Sequence, residues 1–103
     1  MNLAEYQQFT ATTAIYPKDN ALVYLSLGLT SEAGEVAGKI KKIVRDNVRN
    51  DKDIISEVGD VFWYLCQLCT ALNVEATDVI EQNMNKLIDR QERDVIKGNG
   101  DNR

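Results

Sequence analysis

The sequence contains no histidine at all, only one proline (Pro17), and two cysteines, Cys66 and Cys69, among its 103 residues. Without histidine there is no imidazole base, no histidine-assisted nucleophile and little basis for a zinc site. The two cysteines form a single CxxC inside the apolar run "VFWYLCQLCTAL". A zinc site would need a second such pair, and a redox motif would need a strand-to-helix setting. Reduced, buried thiols in a cytoplasmic protein are the reading that remains. That apolar run is also the longest in the chain and falls short of the roughly 20 residues of a membrane span. No secretory leader is recognisable either. Basic residues are sparse: net charge is −4 and no basic run exceeds "KIKK". A general nucleic-acid surface is therefore not expected, although a local basic cluster could hold a small anion.

What is present is helical periodicity. Four amphipathic segments are predicted, over about 3–14, 20–45, 53–72 and 77–95, in one domain spanning residues 1–103. Asn2 and Glu5 are spaced as a capping box for the first, and Pro17 marks the connector after it. The second carries the stripe Leu22, Leu25, Leu29, Glu32, Val36, Ile40, Ile43, and the third carries Ile54, Val58, Val61, Leu65, Leu68, Leu72. The fourth has Val79, Ile80, Met84, Leu87 and Ile88. Short breaks between long helices predict an all-α, four-helix bundle.

Two acidic pairs interrupt this pattern. Glu32 and Glu35 lie three apart, and Glu32 takes a stripe position where leucine would be expected. Glu57 and Asp60 repeat the spacing on the third helix, on one polar line with Tyr64 and Gln67. Gly34, Gly38 and Gly59 lie beside the pairs, which suggests close helix approach or room for a ligand. Two unit charges about 4 Å apart repel by about 4 kcal/mol at an effective dielectric of about 20, so gathered carboxylates need protons or cations. An all-oxygen donor set suits Mg²⁺ or Mn²⁺. The alternative is four solvated acids paired with Lys39, Lys41, Lys42 or Arg45.

Glu32-x-x-Glu35 followed after 21 residues by Glu57-x-x-Asp60 resembles the ExxE…ExxD signature of the MazG-like all-α nucleoside triphosphate pyrophosphohydrolases. "GLTSEAGEVAGKIKK", "EVGDVFWYL", "NKLIDRQ" and "IKGNGDNR" look like small phage and bacterial members, so the likeness covers nearly the whole chain. The resemblance implies Mg²⁺ held by Glu32, Glu35, Glu57 and Asp60, and hydrolysis between the α- and β-phosphates to a nucleoside monophosphate and pyrophosphate. It also implies that Glu35 or Glu32 activates the water; where some relatives carry a further acid, this chain has Ser31. Substrate contacts carried over are Tyr64, Asn85, Lys86 and Arg90, with Lys39 and Lys42 reaching phosphate and Tyr16 stacking on a base. Trp63 reads as packing. Phosphoribosyl-ATP pyrophosphatase, or a non-catalytic nucleotide-binding bundle, are the alternatives.

The third helix is apolar almost all round, with Phe62, Trp63, Leu65, Cys66, Leu68 and Cys69 covering more than one stripe. A short chain has little material to surround such a helix. A homo-oligomer is therefore expected, a tetramer of paired bundles or else a dimer, and the resemblance points the same way.

Overall fold

A computed structural model describes all residues from Met1 to Arg103, and every regular element in it is helical. Helix α1 spans Leu3–Thr12, a 3₁₀ turn spans Lys18–Asn20, and α2 spans Ala21–Asp46. Helices α3 (Asp51–Ala71) and α4 (Ala76–Glu92) follow. No helix is long and apolar enough to cross a membrane.

The ends of these helices follow local chemistry. The Asn2 side chain accepts from the Glu5 backbone N–H at 2.9 Å and its amide meets the Glu5 carboxylate at 3.1 Å, a capping-box variant. Helix α1 stops earlier than its sequence pattern suggests, because Thr12 and Thr13 turn their hydroxyls back onto the carbonyls of Phe9 and Thr10. Asn47, Asn73 and Asp94 follow α2, α3 and α4 with φ of 53°, 61° and 57°. Asn and Asp tolerate this left-handed conformation better than other non-glycine residues, and it ends a helix. After α4 the Val95 N–H returns to the Arg90 carbonyl at 2.8 Å, so α4 closes three residues short of the predicted Val95. The N-terminus of α4 lacks a local side-chain cap; instead Gln7 of α1 accepts from the Ala76 N–H at 2.7 Å.

Helices α2 and α3 form an antiparallel hairpin across the short break at Asn47–Asn50 and make the largest packing interface. Helix α1 lies against α3 and α4, and α4 lies against α1 and α3 without meeting α2. One chain is thus an open arrangement of four helices. Its radius of gyration is 16.6 Å, against about 13 Å for a compact domain of about 100 residues.

The open shape leaves little enclosed. Only Leu25, Cys66, Ala76, Gln7, Thr10, Gln67 and Arg90 are buried. On α3 the polar line is more enclosed than the apolar stripe: Gln67 is 2% exposed and Leu65 is 42% exposed. Phe62, Leu72, Ile80, Met84 and Leu87 are exposed as well. Of the two thiols expected to be buried, Cys66 is buried and Cys69 only half-buried; both are free, and desolvation raises the pKa of each.

Candidate metal centre and aromatic cleft

The α2–α3 hairpin brings Glu32, Glu57 and Asp60 together. One carboxylate oxygen from each lies within 4.8 Å of the others. Glu32 and Glu57 are half-buried and Asp60 is exposed. Glu32 sits on the inward stripe of α2, in line with Leu25, Leu29 and Val36, as its spacing predicts. Its pKa is raised, first by desolvation, then by hydrogen bonding to Glu57 and by the charges of Asp60, Glu57 and Glu35. Glu35 is exposed, stands outside the tight group of three, and acts on Glu32 through its charge.

None of the ion pairs in the chain involves these acids. Arg45 is bound to its neighbour Asp46 at 2.7 Å, and Lys39, Lys41 and Lys42 pair with no acid. Of the alternative reading, solvated acids paired with these bases, the pairing does not form, while Glu35 and Asp60 are indeed exposed. Three close carboxylates without a cationic side chain make a hard, all-oxygen donor set that fits a divalent cation.

Beside the acids lies a cleft of about 350 Å³ lined by Thr13, Ile15, Tyr16, Tyr24, Glu32, Asp60, Trp63 and Tyr64. Tyr16 stacks on Tyr24 with centroids 5.0 Å apart, meets Trp63 edge-on at 6.4 Å, and Trp63 meets Tyr64 edge-on at 4.9 Å. The Trp63 indole N–H donates to the Thr13 hydroxyl at 2.8 Å. The Lys18 ammonium rests 3.6 Å above the Tyr16 ring. Burial raises the Tyr64 pKa, with further contributions from Tyr24, Glu32 and Asp60, so its hydroxyl stays a neutral donor.

Of the residues singled out by sequence, Glu32, Asp60, Tyr64 and Tyr16 share this cleft and Glu57 completes the carboxylate group. Lys39 and Lys42 lie further along α2, outside the lining. Asn85, Lys86 and Arg90 stand on α4, away from α2. Lys86 and Arg90 hold the tail residue Asp101, at 3.6 and 3.5 Å, and Arg90 also donates to the Asp101 carbonyl at 2.5 Å. Trp63, read from sequence as packing, is a cleft wall, and Tyr24 was not singled out. Its signal was there: Tyr24, Gly28 and Glu32 follow i, i+4 spacing on one face of α2.

Gly28 is the glycine of close approach, because a Cβ there would collide with the Tyr64 ring. Gly34, Gly38 and Gly59 have nothing within 4 Å of that position, so none of them is a point of close helix approach within one chain. For Gly28→Ala, overpacking of about 2 kcal/mol outweighs a helix-propensity gain of about 1 kcal/mol. The expected result is a lower urea midpoint by about 1 kcal/mol equivalent. An unchanged midpoint would mean that the ring moves freely.

Residues 23–95 match the family described as "MazG nucleotide pyrophosphohydrolase domain". The chain is similar to the "Gene 37 protein" of Mycobacterium phage L5, 43% identical over 114 aligned positions that cover 100% of both chains. No solved structure matches it.

Proposed function

The chain belongs to the MazG nucleotide pyrophosphohydrolase family, and from that membership we propose that its single domain, residues 1–103, hydrolyses a nucleoside or deoxynucleoside triphosphate between the α- and β-phosphates. The products are a nucleoside monophosphate and pyrophosphate, and Mg²⁺ is the cofactor, with Mn²⁺ able to replace it. The observation that carries this reading is the group of three unpaired carboxylates opening onto an aromatic cleft. No lysine or arginine lines that cleft. A triphosphate could not settle beside Glu32 and Asp60 unless cations intervened. When bound, the metal supplies that charge and lowers the pKa of a coordinated water.

The chain's own side chains do the rest. Glu32, Glu57 and Asp60 hold the cation, with Glu35 as the fourth, outer carboxylate. Glu35, exposed and unpaired, or Glu32 takes the proton from the attacking water. Tyr16, Tyr24 and Trp63 receive the base, and the neutral Tyr64 hydroxyl donates to a phosphate oxygen. Phosphate contacts from Lys39, Lys42, Asn85, Lys86 and Arg90 must come from outside this cleft. For the α4 residues the source is a neighbouring copy, and the phosphate replaces Asp101. The test is product analysis with a panel of nucleoside triphosphates, with and without Mg²⁺. Monophosphate and pyrophosphate are expected only with the metal. A diphosphate and orthophosphate, or no turnover of any nucleotide, would reject the reading.

The exposed Phe62, Leu65, Leu72, Ile80, Met84 and Leu87 support a homo-oligomer, a tetramer of two dimers or else a dimer. Light scattering at micromolar concentration should give a multiple of 11.6 kDa. A fully active species at the monomer mass would exclude the assembly.

A further inference from the structure

We propose that Gln67 is a positioning residue for the cleft: through the Tyr16 hydroxyl it holds the ring that forms one wall of the site. The proposal rests on the nucleotide-binding reading for its consequence and on geometry for its cause. Tyr16 lies in the irregular segment between α1 and the 3₁₀ turn, so no helix orients its ring. Its hydroxyl donates to Gln67 Oε1 at 2.7 Å. Gln67 Nε2 donates to Thr10 Oγ1 at 2.8 Å, and Thr10 in turn donates to the Gln7 carbonyl at 2.6 Å. The Gln7 side chain then spans to Thr70 at 3.2 Å, to the Val74 carbonyl at 3.0 Å and to the Ala76 N–H at 2.7 Å. Gln7, Thr10 and Gln67 are three of the seven buried residues, and no buried side-chain nitrogen or oxygen lacks a partner.

A glutamine enclosed where leucine would pack more cheaply is tolerated because both ends of its amide are bonded. Those bonds are directional, whereas the stacking of Tyr16 on Tyr24 permits sliding. Gln67 therefore turns a loop tyrosine into a fixed wall, anchored through Thr10 and Gln7 to α1 and to the start of α4. If the wall binds the base equally in ground and transition states, losing its support raises KM more than it lowers kcat.

The experiment compares Tyr16→Phe, Gln67→Leu and the double variant. Trp63 is the one tryptophan in the chain and lies 6.4 Å from the Tyr16 ring, so its emission reports the ring without substrate. Each single variant is expected to shift Trp63 emission and to raise KM by about fivefold, with kcat within about twofold. The double variant should match Gln67→Leu, because Gln67→Leu already removes the Tyr16–Gln67 bond that Tyr16→Phe removes. Tyr16→Phe deletes a single oxygen and serves as the test if Gln67→Leu does not fold. Wild-type emission and KM in Tyr16→Phe, a loss confined to kcat, or additive effects would overturn the proposal. If the wild-type protein turns over no nucleotide, the reading of function fails, while the emission shift still decides whether Gln67 holds Tyr16.

Discussion

Replacing Glu57 by alanine is expected to lower kcat/KM by more than about 100-fold while leaving helix content unchanged. Glu57 is half-buried beside Glu32 and, with Glu32 and Asp60, forms the oxygen group within 4.8 Å. Loss of groups that merely support a metal ligand costs about 10- to 100-fold, so loss of a ligand should cost more. The same substitution should not destabilise the metal-free protein. It removes a negative charge from beside two others, and no cationic side chain loses a partner. An active site built on Glu57 is therefore recognised by a paired outcome: activity collapses and the thermal midpoint without metal holds or rises. Full turnover at saturating Mg²⁺, or a clear fall in that midpoint, would remove Glu57 from the site.

Millimolar Mg²⁺ or Mn²⁺ is expected to raise the thermal midpoint, and a chelator to reverse the rise. A ligand at about 100 times its Kd adds about 2.7 kcal/mol to the folded state. At about 4–8 °C per kcal/mol for a domain of this size, the shift is about 10 °C or more. The sign of its pH dependence follows from Glu32. The folded pKa of Glu32 lies above the ordinary 4.5, raised first by desolvation and then by Glu57 and the neighbouring charges. In the metal-free protein this group's contribution to stability is fully present below the ordinary value. It is lost as pH rises through the raised one, since the folded chain there gives up a proton it had favoured. A divalent cation binds the ionised carboxylate, so its stabilising effect should grow as pH rises through the same window. Glu57→Ala should abolish most of the cation-induced shift. A midpoint indifferent to the cations at neutral pH, or a larger gain at acid pH, would contradict a carboxylate-held metal.

Much of this molecule was legible from residue spacing. The four helices lie within a few residues of their predicted bounds, because capping residues, the left-handed Asn and Asp positions and apolar periodicity act locally. The inward phase of Glu32 was readable because it replaces an apolar residue in a regular stripe. The outward face of the α3 stripe was not. Leu65 and Leu72 look like core by pattern, and in one chain they are exposed while Gln67 is enclosed. Periodicity marks a face as apolar without saying whether α1, α2 or another copy will cover it.

By itself, then, the sequence determined the helical class, the order and lengths of the elements, and the two acidic pairs whose spacing resembles the family's signature. These depend on interactions within one or two turns, and on residue types that admit few chemical roles. Tertiary structure alone decided that Glu32 meets Glu57 and Asp60 while Glu35 stays at the edge, and that Gly28 rather than Gly34 receives a ring. It also carried Tyr16 across the loop to Gln67, 51 positions away, and set Lys86 and Arg90 on Asp101. Contacts of that kind depend on how whole helices cross and how loops close, and spacing along one chain carries no record of either.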